Sequence, residues 1–145
     1  MYFLFEELET RSPLPLLSIV DATAEVILEA GMDTVGLLGT RFTMEKPFYV
    51  EGLKKHGIEA LVPGEEERAM IDRVVFEELA RGLLLPGSRT GYLEVIDGLV
   101  GRGAQGVVLG CTEIPLLVTP EHTGVKLFDS AVIYAEKALQ YAIGE

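Results

Sequence analysis

The chain has 145 residues, about the size of one domain, and sets 12 Lys and Arg against 23 Asp and Glu for a formal charge of −11. The cations are scattered and outnumbered, so the clustered charge that displaces phosphate counterions is missing, and neither nucleic acid nor an anionic membrane surface is an expected partner. With 48% hydrophobic and 24% charged residues the chain has ample material for a packed core.

No apolar run approaches the roughly 20 residues of a membrane span. The opening Met1 to Phe5 is too short for a signal-peptide core and runs straight into Glu6-Glu7. One cysteine excludes an intramolecular disulfide framework and fits a reducing cytoplasm. Two separated histidines, His56 and His122, make no zinc set, so no metal is expected. Both read as solvated surface.

Short apolar runs alternate with longer amphipathic ones, the pattern of βα units around a largely parallel sheet. Residues 1 to 11 read as a helix, broken by Pro13 and Pro15. Leu16 to Val20 has the length and branching of a strand. Asp21 then stands at an N-cap position, and the following helix ends at Gly31. Thr34 to Leu38 is a second strand, Thr40 to Thr43 a loop, and Met44 to His56 a helix stopped by Gly57.

Ile58 to Val62 reads as a third strand and Glu65 to Arg81 as a helix, with Met70, Ile71, Val74, Val75 and Leu79 on one face. Three glutamates in its first turn suit the positive end of the helix dipole. Ser88 is placed to cap the next helix, with Tyr92, Leu93, Ile96, Leu99 and Val100 inward. Gly106 to Leu109 and Lys126 to Phe128 are two more strands, and Asp129 caps a last helix running to about Ile143.

Gly101-Arg-Gly103-Ala-Gln-Gly106 matches the spacing of a dinucleotide fingerprint, but a helix precedes it and a strand follows. That is the reverse of what brings pyrophosphate to a helix N-terminus. It reads as an ordinary turn.

Cys111 falls where β-structure ends and a helix opens at Thr112-Glu113-Ile114-Pro115. That is the carboxyl end of a parallel strand, where open sheets bind ligands and where nearby amides lower a thiol pKa. A small buried apolar residue would also suit the position. A second strand end, Gly39-Thr40-Arg41-Phe42-Thr43, carries two hydroxyls, loop amides and a guanidinium that could hold a carboxylate. Capping by the threonines explains it equally well. Arg81, just before Gly82, is either a helix-end cation or an anion anchor.

The segments Leu37-Leu-Gly-Thr-Arg-Phe-Thr-Met-Glu45 and Val108-Leu-Gly-Cys-Thr-Glu-Ile-Pro-Leu-Leu117 resemble the cofactor-independent aspartate/glutamate racemase family. So do Asp21-Ala-Thr-Ala, the glutamate-rich turn at Glu65, Ser88-Arg89 and Leu127-Phe-Asp129. The resemblance implies an α/β protein with a parallel-sheet βα lobe that needs no cofactor and acts on an acidic amino acid. It implies that Cys111 is the thiol base, with Thr112 and Glu113 positioning it or its proton. Thr40, Thr43, Arg41 and Arg81 would bind substrate carboxylate.

An amino acid's α-proton is weakly acidic, so inversion needs a base on one face of Cα, an acid on the other, and donors that stabilise charge developing on the carboxylate. In the family two similar lobes enclose the site. By resemblance, residues 1–30 are a remnant of the first lobe, 31–127 a complete second lobe, and 128–145 a C-terminal helix packing back on the remnant. The opposite acid/base comes from an Asn-Thr-x-His-like segment that falls before Met1, making this an N-terminally truncated member. The family's histidine in the last helix is Tyr134 here. One thiol then reaches one face of Cα.

Loss of first-lobe strands would leave Leu16, Leu17, Ile19, Val26 and Ile27 without cover, which points to a homodimer. Two other readings share these residues. One is a non-catalytic dicarboxylate-binding or interaction module with the same fold, and the other a related single-cysteine decarboxylase or hydantoin racemase.

Overall fold

A computed structural model describes residues 18–142. The first helix begins earlier in the chain than the apolar pattern suggests. Ser18 is its N-cap, accepting from the N–H groups of Val20 and Asp21 at 3.2 and 3.4 Å, and helix α1 runs Ile19–Glu29. The strand expected at Leu16 to Val20 is therefore, in its described part, a cap and a first helical turn. A cap contributes about 1 kcal/mol and burial of Val20 about 2 kcal/mol. Together these outweigh a β-preference whose whole scale spans about 1 kcal/mol.

Asp21 is not the cap. Its carboxylate meets His56 Nε2 at 2.8 Å, so the histidine read as free surface is half-buried and paired. The helix expected over residues 1 to 11, together with Leu16, Leu17 and Ile143, lies outside the described residues.

Strand β1 is Thr34–Leu38. Thr40 then caps a short helix, α2 (Arg41–Glu45), where a loop was expected. The single helix expected from Met44 to His56 is broken at Lys46. The proline after it forces Lys46 into extended backbone (ψ 146°), and Pro47 starts helix α3 (Pro47–Lys54) at a position where its missing N–H costs nothing. Strand β2 is Glu59–Leu61, and helix α4 is Glu65–Glu77. A separate 3-10 turn, Leu79–Arg81, ends at Gly82 with φ +80°, which glycine adopts without a steric penalty.

Helix α5 spans Pro86–Gly101 and opens on its proline, with Leu85 as N-cap. Ser88 is not the cap, and its hydroxyl donates to the Glu78 carboxylate. Val95, not the exposed Val100, completes the inward face with Tyr92, Ile96 and Leu99. Strand β3 is Gly106–Leu109, α6 is Ile114–Leu117 and β4 is Lys126–Asp129. Helix α7 runs Ser130–Ala142, and Asp129 Oδ1 accepts from Val132 N–H at 3.3 Å as its cap.

The four strands are parallel in the order β2-β1-β3-β4. Among the described residues four strands form rather than five, because Ile19 and Val20 of the first candidate are helical. One face of the sheet, through Leu38, Val107 and Leu109, packs on Ile71, Val74 and Val75 of α4 and on Tyr92, Ile96 and Leu99 of α5. The other face, through Val35, Leu37, Val108 and Phe128, packs on Val20, Ala24 and Ile27 of α1, Tyr49 and Leu53 of α3 and Ile133 of α7. Helices α1 and α7 also lie together, with Lys137 3.1 Å from Glu25. Ile27, expected to lack cover, is fully buried, while Ile19 and Val26 are half-buried.

Two helical glycines separate space from propensity. A Cβ on Gly52 would stand 2.6 Å from Val20 Cγ1, because α3 lies directly against α1, whereas a Cβ on Gly98 meets nothing. Gly52→Ala is expected to lower unfolding free energy by about 1–3 kcal/mol through overpacking, and Gly98→Ala to raise it by about 0.5–1 kcal/mol. Urea denaturation of the two variants checks both signs.

Candidate functional site

Connections from β1 run outward to β2 on one side, and the chain then crosses over α4 and α5 to β3 on the other. The ends of β1 and β3 therefore flank the switch point of the sheet, where open α/β sheets form their ligand crevice. Gly39 follows β1 there, and Gly110 and Cys111 follow β3. The register Leu38↔Leu109 sets the two ends level, and Gly110 N–H donates to Leu38 O at 2.7 Å.

Thr43 fills the space between the two ends. A Cβ on Gly39 would lie 2.9 Å from Thr43 Cβ, and one on Gly110 3.2 Å from Thr43 Cγ2. The threonine loop and the cysteine turn, about 70 residues apart in sequence, thus abut because neither glycine carries a side chain.

Thr40 and Thr43 hydroxyls face each other at 3.4 Å, and Thr40 Oγ1 also accepts from Thr43 N–H at 3.4 Å. Arg41 N–H donates to Asp72 Oδ1 at 2.7 Å. Two loop amides are therefore already engaged, one of them by a carboxylate from α4. The Arg41 guanidinium turns to Glu45 at 3.8 Å, and Glu45 is bonded more closely by Arg68 Nε at 3.1 Å. These three side chains, with Met44, Val62 and Glu65, line a cavity of about 510 Å³ beyond the ends of β1 and β2. Arg81 is exposed, with no ion pair among the described residues, and its 3-10 turn packs against α6.

Cys111 is half-buried against the α4/α5 core. Its Sγ donates to Glu113 Oε1 at 3.3 Å, and Thr112 Oγ1 donates to the same oxygen at 2.9 Å. Those two bonds, Thr112 first, hold the largely solvated Glu113 carboxyl below its ordinary range. For the thiol the balance runs the other way. Burial pushes its pKa up, and although the Glu113 and Ile114 amides oppose this, the Glu113 carboxylate adds to it by hydrogen bond and by charge. The amide-rich turn expected to favour thiolate is overruled by desolvation and a neighbouring anion. At neutral pH the pair is a thiol donating to a carboxylate.

Three supports had no local signal in the sequence. Arg89 Nε donates to Leu117 O at 2.6 Å, tying α5 to the end of α6. Tyr92 lies beneath the site, its hydroxyl donating to Ile71 O at 2.8 Å. Burial, above all, raises the pKa of that phenol and keeps it protonated. Ser130 Oγ donates to Leu109 O at 3.1 Å behind the cysteine turn. Each partner lies more than twenty residues away, so only the fold reveals the pairing.

A parallel sheet covered on both faces, with a thiol and a hydroxyl pair at its switch point, is an α/β unit of the class that forms ligand crevices at its strand ends. Residues 1–138 match the family model for Asp/Glu/Hydantoin racemase, and the chain belongs to that family. The fold is similar to that of an aspartate racemase homologue from Pyrococcus horikoshii OT3, at 38% identity and TM-score 0.92 over 99% of this chain and 63% of that one. It is also similar to a Yersinia pestis protein provisionally assigned as an Asp/Glu racemase, at 43% identity and TM-score 0.93 with the same two coverages. The glutamate racemase of Aquifex aeolicus (strain VF5) is 24% identical over 147 residues, covering 99% of this chain and 55% of that enzyme. The chain thus spans under two thirds of the length of these relatives. No helix among the described residues is long and apolar enough to cross a membrane.

The Glu113 contact makes a signed prediction. Glu113→Gln removes a charge and an anionic acceptor that both raise the thiol pKa, so Cys111 ionises at lower pH. Alkylation by iodoacetamide, specific here because the chain has one cysteine, is expected to run roughly threefold faster near neutral pH. An unchanged or slower rate would overturn the assignment.

Proposed function

We propose that this chain carries the thiol half of a cofactor-independent racemase site for aspartate or glutamate and works in the cytoplasm. In this reading residues 31–127 correspond to the second lobe, with helices α1 and α7 packed on one face of its sheet. The observation that carries the reading is Cys111 at the β1/β3 switch point, bonded to Glu113 and directly following Gly110, which abuts Thr43.

In this mechanism the Cys111 proton passes to Glu113, the acceptor it already touches. The thiolate removes the α-proton, the Cα–H electron pair moves into the carboxylate to give an enediolate-like species, and the new S–H holds the proton. The Thr40 and Thr43 hydroxyls, with Arg41 and Arg81 swung from their resting positions, bind the substrate carboxylates and stabilise the charge that develops. Thr112 holds Glu113 ionised and aimed at sulfur. Returning the proton from sulfur restores the same enantiomer. Inversion requires an acid on the opposite face of Cα as well.

The test is proton exchange in D₂O. The expected result is α-deuteration of one enantiomer of aspartate or glutamate with little inversion, and its loss in Cys111→Ser. Exchange that survives in the variant would refute the thiol assignment. The raised thiol pKa favours one competing reading, a dicarboxylate-binding module without chemistry. Calorimetric binding of aspartate without exchange would establish that instead.

The working assembly in this reading is a homodimer. Leu28 on α1 and Val132 and Leu139 on α7 remain exposed at 46%, 49% and 58%, on two helices that lie together. Three large apolar side chains on neighbouring helices mark a contact surface more readily than a solvated face. Mass-resolved sizing at micromolar concentration is expected to return twice the monomer mass, and Leu139→Glu to return the monomer.

A further inference from the structure

Behind the strand end that leads to Cys111 three hydroxyls from three helices meet in the core. Tyr49 of α3, Thr23 of α1 and Ser130 of α7 are 4%, 0% and 2% exposed. Thr23 Oγ1 donates its single proton to Ile19 O at 2.8 Å, and Ser130 Oγ donates its own to Leu109 O at 3.1 Å. Both oxygens keep lone pairs free to accept. Tyr49 Oη lies within reach of both, yet makes no well-formed hydrogen bond among the described residues. Burial raises the phenol pKa and keeps its proton on, so the group is a donor in an apolar core. Such a group calls for a physical explanation.

The two acceptors are not equivalent. Thr23 serves a bond inside its own helix and leads no further. Ser130 leads to the carbonyl of Leu109, two residues before Cys111, and an O–H that accepts a hydrogen bond becomes a stronger donor itself.

We propose that Tyr49 is a positioning residue for Cys111. Its phenol closes on Ser130 Oγ, Ser130 donates to the Leu109 carbonyl, and this relay fixes the end of β3 and the depth at which the thiol sits. The inference rests on the proposed function only for the importance of Cys111, because the thiol can be read directly without turnover.

The experiment measures iodoacetamide alkylation of the single cysteine near pH 7.5 in the folded chain, in Tyr49→Phe, in Ser130→Ala and in the double variant. Ile133→Val trims the same core cluster without touching a hydroxyl and serves as the packing control. A loosened strand end lets water reach the sulfur, so thiolate and rate both rise. The expected acceleration is roughly threefold for Ser130→Ala and smaller for Tyr49→Phe. The double variant should match Ser130→Ala, since residues acting through one relay do not add.

Tyr49→Phe at the unmodified rate would overturn the proposal, as would single effects that multiply in the double variant. Acceleration by Ile133→Val as large as that by Tyr49→Phe would also overturn it, because loosening of any kind would then suffice. Failure to exchange deuterium alongside the expected alkylation pattern would remove the racemase reading and leave the positioning role standing. The converse pair of results would do the opposite.

Discussion

The level pairing of β1 with β3 is the constraint on which the rest of the structure depends. It places Gly39 and Gly110 side by side, lets Thr43 pack against both, and so joins a loop from one part of the chain to a thiol from another. A shift of one residue would exchange the faces of every β3 side chain, burying Val108 among the residues meant for Val107 and turning Leu109 onto the wrong helices. The two cores enforce the register, because Val107 and Leu109 belong to one and Val108 to the other. The site is precise because packing elsewhere makes it so.

Electrostatics within the site runs against the protein's crude geometry. A helix start and its amides invite a thiolate, and the short α6 provides them. Glu113 occupies the same turn with a carboxylate that Thr112 and Cys111 keep ionised, and burial adds to its effect. The sulfur rests protonated, hydrogen-bonded to an anion. In an acidic chain the local arrangement, not the net charge, decides which proton can move.

Much of this was legible in the sequence. The strands at 34–38, 59–61, 106–109 and 126–129 all fell within or against apolar runs closed by glycine or a capping aspartate, and Cys111 stood out by its place at a strand end. What the sequence concealed has two causes. Some signals were local but outcompeted: Ser18 capped a helix where β-branched residues suggested a strand, and Pro47 split a helix whose apolar periodicity ran through it. The others were pairings across distance, such as Asp21 with His56, Asp72 with the Arg41 amide and Arg89 with the Leu117 carbonyl. No window of neighbouring residues contains both partners, so periodicity and capping rules had nothing to act on. The direction of the thiol's pKa belonged to this second kind, since it turned on burial.

Among the described residues the sheet is parallel with β1 inside it, which also sets the order in which this part of the molecule can be made. As the nascent chain leaves the ribosome, β1 and β2 can pair as soon as α2 and α3 have bridged them. The other edge of β1 waits for a strand about 70 residues downstream, and contacts of such long sequence separation form slowly because loop closure comes first. Until then Leu37 and Val35 lack part of the core that later encloses them. The crevice therefore comes into being only once β3 has emerged and paired, and the sulfur is fixed no earlier than that strand.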